Sequence, residues 1–245
     1  MTEIIKMDLY RFFRSASTWI ILFVDILLAF FSVILVSTNT SILIYSNAGE
    51  LLAAQMNGGM IMLLCSLAVL IFVSAKYKNG FIKNIANQLP WREMLVFSEI
   101  IVVFVVCALH FFIYSFCTII AGAIFLGNMF MDFSFFAIMK LLIVQFILHW
   151  AFCCLVLLFY MLTNSITFTV VTGFLISFKI LNVLYMLIER VTDFNISQFM
   201  LDSNIFQIGM YSLKPIYTRA TIVGLIFLLA EIVLLCMVMH KKEIK

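Results

Sequence analysis

The sequence predicts an all-α integral membrane protein with six transmembrane helices, preceded by a short amphipathic helix. Three observations lead there. Hydrophobic residues make up 65% of the 245-residue chain and charged residues only 11%, against about 25% charged in an average soluble domain. One soluble core of this size cannot hide so much apolar surface, and the mean hydropathy is +1.20, so the bilayer must serve as solvent. Six apolar runs are separated by short polar stretches, and Lys and Arg collect on one side of them.

Crossing the hydrocarbon takes about 20 predominantly apolar residues. The runs at 18–37, 58–74, 96–126, 136–162, 166–188 and 220–240 qualify. The third is long enough to include a cytoplasmic extension or a re-entrant end. The first exceeds the 7–15 residues of a signal-peptide core, and no Ala-x-Ala site follows it, so it reads as a retained helix. A single membrane domain, 1–245, accounts for the length.

Orientation follows from the basic residues. Lys6, Arg11 and Arg14 precede span one; Lys76, Lys78, Lys83 and Arg92 lie between spans two and three; Lys241, Lys242 and Lys245 follow span six. With six spans these ten share one side, and the other side carries only Arg190, Lys214 and Arg219. Both termini are therefore expected in the cytoplasm. The asymmetry supports an even span count independently of hydropathy.

The six cysteines all lie within apolar runs and form no C-x-x-C or zinc spacing. They read as small hydrophobic filler, with no disulfide framework and no metal site. Nor does any basic stretch interleaved with aromatics suggest nucleic-acid binding.

Two segments carry more information. In 1–17, Ile5, Leu9, Phe12 and Phe13 share a helical face, with Glu3, Lys6 and Arg14 away from it; such a helix lies in the membrane interface. In 75–95, Gly80 breaks the chain, and Phe81, Ile82, Ile85 and Leu89 then form an apolar stripe opposite Lys83, Asn84, Asn87 and Gln88. Pro90 suits the first turn of a new helix, and Trp91 and Arg92 suit the interface. The stripe has nothing in its own loop to bury it, so it lies either on lipid or on a cytoplasmic protein partner.

This arrangement resembles the type-2 ABC exporter permeases, the six-span membrane subunits of bacterial drug, lantibiotic and peptide exporters. The resemblance rests on KMDLYRFFRSASTW, which matches the family's elbow helix through Leu9, Arg11, Phe12 and Arg14. It rests also on KNGFIKNIANQLPWREMLVFSEI, which matches its cytoplasmic coupling helix through Gly80, Phe81, Ile82, Lys83, Asn84, Ile85, Leu89 and Arg92. A long outer segment before the last span, here 189–219, is a further likeness. The sequence departs from many relatives in having Lys-Tyr-Lys-Asn where an acidic residue precedes the coupling Gly. The resemblance implies two permease halves, identical or related, and two copies of a separate ATPase subunit. The chain itself has no G-x-x-x-x-G-K-[ST] phosphate loop, so ATP and Mg would be held by the partner, and no cofactor is expected here.

Ionisable residues inside spans cost at least about 2.5–3.5 kcal/mol at the bilayer centre and mark function or a structural pair. Asp25, Lys179 and Glu231 are the candidates, and pairing Lys179 with Asp25 or Glu231 would reduce the cost. In the resembled family spans one, two and five line the interface between halves, which implies that Asp25 and Lys179 face the transport path; Glu231, in span six, is the third translocation-path candidate. Lys140, near a span end, is expected to snorkel. His110 and His149 read as interhelical hydrogen-bonding groups.

An intramembrane enzyme is disfavoured, because G-x-S-G, H-E-x-x-H and paired glutamates followed by Arg are absent. Six spans without evident repeated halves disfavour a secondary transporter. The expected function is export of an amphipathic peptide or other hydrophobic compound from a bacterial cell. The alternative is a stand-alone immunity protein that binds a toxic peptide without an ATPase.

Overall fold

The structure, a computed structural model, describes residues 2–38, 47–78, 91, 93–127, 134–192 and 194–241. Every regular element among them is helical: α1 (Thr2–Arg14), α2 (Ala16–Thr38), α3 (Ala48–Met56), α4 (Gly59–Lys78), α5 (Glu93–Phe125), α6 (Phe135–Thr163), α7 (Ile166–Ser177), α8 (Ile180–Thr192), a 3₁₀ turn (Ile196–Phe199), α9 (Leu201–Gln207) and α10 (Lys214–Lys241). The fold is all-α, as composition requires, since only internally hydrogen-bonded elements survive in hydrocarbon.

Helices α2, α4, α5, α6 and α10 are each long and apolar enough to cross a membrane. Helices α7 and α8 make a sixth span only if counted together, and they are bent by 63°. A continuous fifth helix over 166–188 was expected. The break falls at Phe178 and Lys179, where Lys179 takes a left-handed φ of 60°, a conformation that ends helices. Beyond it, the polar edge of α8 is held by the segment that follows. Ser203 donates to the Asn182 side chain (3.2 Å), Tyr185 donates to Asp202 (3.4 Å), and the Ser197 amide donates to Glu189 (2.8 Å). Its apolar edge, including Val183, Met186, Leu187 and Val191, is exposed. That is the reverse of a soluble amphipathic helix.

Helices α4 and α6 are central, whereas α2 and α10 are peripheral, packed along α5 and α6 respectively. The ends of the bundle can be told apart. His240 near the end of α10 bonds Glu93 at the start of α5 (3.0 Å), and α1 sits at this same end, against α5. At the opposite end, the segment after α8 folds back into the bundle instead of remaining a surface loop. Leu201 to Ile205 of α9 are buried. Gln145 of α6 donates to the Ile205 carbonyl (2.9 Å) and to the Asn57 side chain (2.7 Å), and Asn57 donates to the Ile208 carbonyl (3.0 Å). These bonds satisfy backbone carbonyls that would otherwise be stranded inside the bundle.

The chain switches direction with local caps. Asn164 closes α6 with φ 51°, its amide bonded to the Tyr160 carbonyl, and Ser165 then caps α7 by accepting from the Phe168 amide (3.3 Å). Gly59 opens α4 against the end of α7. A Cβ at Gly59 would lie 1.8 Å from the Ser177 carbonyl oxygen, so the two backbones approach as only glycine allows. Gly59→Ala is expected to cost about 1–3 kcal/mol through overpacking. Gly173→Ala, whose Cβ would meet its nearest neighbour, Ser66 Oγ, at 3.8 Å, should be neutral or stabilising. Thermal unfolding of the two variants in detergent measures the difference.

Candidate functional site

Where α1, the end of α4 and the start of α5 meet, three charged side chains are fully buried. The Lys76 ammonium donates to Asp8 Oδ2 at 2.7 Å and lies 3.3 Å from Glu99 Oε1, and all three side chains have zero exposure. Ser98 donates to Asp8 Oδ2 (3.3 Å) and Tyr77 donates to Glu99 Oε2 (3.3 Å). Arg11 flanks the cluster 3.8 Å from Asp8 Oδ1. Two buried carboxylates thus share one buried cation, and the partly exposed Arg11 completes the charge balance at the edge of the knot. Removing charges from water is costly, and the cost is recovered only when every partner is present with good geometry. The cluster therefore specifies how three helices meet.

The sequence pattern locates α1 correctly but not its rotation. The face that reads as apolar holds Ile5, Leu9, Phe12 and Phe13; the buried residues are Ile4, Asp8 and Phe12. Phe13 is exposed, and Leu9 is only partly buried. The i, i+4, i+8 series that faces the bundle includes an acid, because Lys76 draws Asp8 inward. Phe12 packs edge-on against Phe72 of α4, with ring centroids 5.8 Å apart. Arg14 is exposed and bonds Tyr10. The turn into α2 is fixed by Thr18 donating to the Phe12 carbonyl (2.8 Å) and Trp19 donating to the Phe13 carbonyl (2.9 Å).

Asp8, Ser98 and Glu99 were not singled out as site residues from sequence, and Lys76 was read as a loop charge. A signal existed: Ser98-Glu99 interrupts an apolar run, and Asp8 occupies a helical register shared with Ile4 and Phe12. The candidate coupling residues Gly80, Phe81, Ile82, Lys83, Asn84, Ile85, Leu89 and Arg92 lie outside the described residues. The cluster brackets them, since Lys76 precedes that stretch and Glu99 follows it.

The intramembrane candidates do not pair as expected. Asp25 of α2 hydrogen-bonds His110 of α5, both fully buried. Lys179 instead sits at the α7–α8 bend, its ammonium 4.3 Å from the centroid of the Phe206 ring. It lies where α7 reaches the start of α4, against α9, and so away from both acids. Glu231 is 2% exposed and its carboxyl oxygens have no hydrogen-bond partner among the described residues; it lies near Cys153 and Cys154 of α6. Lys140 does not simply extend to the interface, because its ammonium stands 3.8 Å over the Tyr217 ring. His110 makes an interhelical bond, as read, whereas His149 bonds the Gln145 carbonyl of its own helix (2.7 Å). All six cysteines are free, and the thiols of Cys65, Cys107 and Cys153 touch one another at the centre of the bundle. No group of His, Cys, Asp or Glu among the described residues is placed to hold a metal ion.

Fold and site together define an all-α, multi-pass membrane protein with a buried ion cluster at one end of its bundle. No family model matches the chain, and no curated protein matches it.

Breaking the cluster on one side leaves an uncompensated buried charge. Lys76→Met is expected to cost about 3–5 kcal/mol. The double variant Lys76→Met, Glu99→Gln, which keeps Asp8 beside Arg11, should regain most of that loss. Thermal unfolding in detergent reads both, and equal stability of Lys76→Met and the native chain would show that the cluster does not hold α1.

Proposed function

We propose that this chain is the permease subunit of an ATP-driven ABC exporter in a bacterial plasma membrane, with both termini in the cytoplasm. One observation carries the proposal. Lys76 and Glu99, on the two helix ends flanking 79–92, are joined to each other and to α1 through Asp8. A force applied to the intervening segment would then reach α1, α4 and α5 as one body, because a desolvated ion cluster resists separation. This suits a segment whose sequence presents an apolar stripe, Phe81 to Leu89, without an internal partner.

In this reading a separate ATPase binds the stripe, and nucleotide-driven closure displaces it. Two such ATPases and a second permease, identical or related, complete the transporter. The substrate class is an amphipathic peptide or other hydrophobic compound. Asp25, Lys179 and Glu231 remain path candidates on different footing. Glu231 alone has a carboxyl group without a hydrogen bond among the described residues, whereas Asp25 is engaged by His110.

The test is co-purification with any phosphate-loop ATPase found encoded beside the gene, followed by ATP hydrolysis measurements. The native chain should retain the ATPase through purification. Phe81→Asp with Ile85→Asp should reduce retention about tenfold, while Phe13→Asp, on an exposed part of α1, should not. An ATPase that fails to associate, or associates equally with the loop variant, refutes the permease reading and leaves the stand-alone immunity protein.

A further inference from the structure

Outside the ion cluster, one surface combines charge and hydrocarbon in a way the proposed transport does not use. At the end of the bundle opposite α1, the first four turns of α10 and Phe199 of the 3₁₀ turn line a groove of about 590 Å³. Its rim carries Lys214 and Arg219, with Thr218 between them, and its floor runs down through Ile222 to Ile226. From Lys214 to Ile226 is twelve residues, or about 18 Å along a helix at about 1.5 Å per residue. That is close to the depth of one leaflet, about half of a 30 Å hydrocarbon core. Ile222 and Ile226 are 51% and 57% exposed on a helix that crosses the membrane, so the floor meets acyl chains.

The rim is built for an anion. No acidic residue lines the groove. Lys214 has no carboxylate within ion-pair distance among the described residues, and the uncharged Pro215, Thr218 and Phe199 line the groove with it. Arg219 is held in place by its Nη2 donating to Gln207 Oε1 (2.9 Å). The rim also coincides with the start of α10, where the helix dipole adds positive potential for an anion. The two cations without an acidic neighbour in the groove and the leaflet-deep apolar floor are complementary to a single amphiphile with an anionic head.

We propose that this groove binds one anionic phospholipid of the leaflet opposite α1. Its phosphate sits between Lys214 and Arg219, and one acyl chain lies along Ile222 and Ile226. The site is independent of the permease reading, since it uses neither the ion cluster nor the segment 79–92. Bound lipid would bridge α10 to the 3₁₀ turn and α9 through Phe199 and the Arg219–Gln207 contact, fastening the folded-back segment to the last span.

Native mass spectrometry of the full chain in detergent tests this, with dioleoyl phosphatidylglycerol and dioleoyl phosphatidylcholine as probes. Retention of phosphatidylglycerol should exceed that of phosphatidylcholine at least about fivefold. Lys214→Gln with Arg219→Gln should abolish that preference, whereas Arg190→Gln, another cation beyond α7, should keep it. Ile222→Trp fills the floor, leaves both cations intact and should also lower retention; it decides the matter if the double variant fails to fold. Millimolar inorganic phosphate should not displace the lipid. Equal retention of the two lipids, unchanged preference in the double variant, or displacement by phosphate would each overturn the proposal, the last by reducing the site to a bare anion pocket.

Discussion

The Lys76 ammonium, shared between Asp8 and Glu99 with no exposure to solvent, is the contact on which one whole end of the molecule depends. Between helices in lipid there is no hydrophobic driving force, since acyl chains are as apolar as leucine. Packing alone therefore discriminates poorly among rotations and registers of greasy helices. A buried ion cluster discriminates sharply, because any arrangement that separates its members strands a charge. Here it decides which face of α1 turns inward and fixes the end of α4 to the start of α5. A connection of any conformation between these ends starts and finishes on the same knot.

Polar contacts recur at two further depths. Asp25 and His110 join α2 to α5 within the membrane. At the opposite end, Gln145, Asn57 and the carbonyls of Ile205 and Ile208 tie α6, the start of α4 and the folded-back segment together. Much of the remaining packing is between apolar side chains and close backbones, as at Gly59 and Ser177. The outward surfaces are correspondingly bare: Trp19, Phe23, Leu27, Phe31 and Leu35 of α2 recur every four residues and are all exposed. Such a stripe is stable only against hydrocarbon or another apolar helix. Helix α8, with polar edge inward and apolar edge outward, obeys the same solvent.

The places where the sequence misled are those where a residue's role depends on a distant partner. Ile5, Leu9, Phe12 and Phe13 form a sound apolar stripe by spacing, and an isolated helix would bury it. Asp8 overrides that stripe because Lys76, 68 residues away, supplies the countercharge. Lys179 lies in an apolar run and seemed to need an acid; the left-handed turn it adopts carries it to Phe206 instead. The partner that satisfies Asp25 is His110, 85 residues along, and the spacing of neither residue announces the other.

What the sequence determined by itself is the solvent and the crossings. Hydropathy and run length locate six apolar runs of spanning length, and they predict an all-helical fold, because hydrocarbon admits no unsatisfied backbone and demands a set length. These are local properties, readable from twenty residues at a time. The tertiary structure decided the rotation of α1, the break at Lys179, the burial of α9 and the pairing of Asp25 with His110. Each of these is settled by which side chains meet across the bundle, and in a medium that penalises every unpaired charge, that meeting outweighs local pattern.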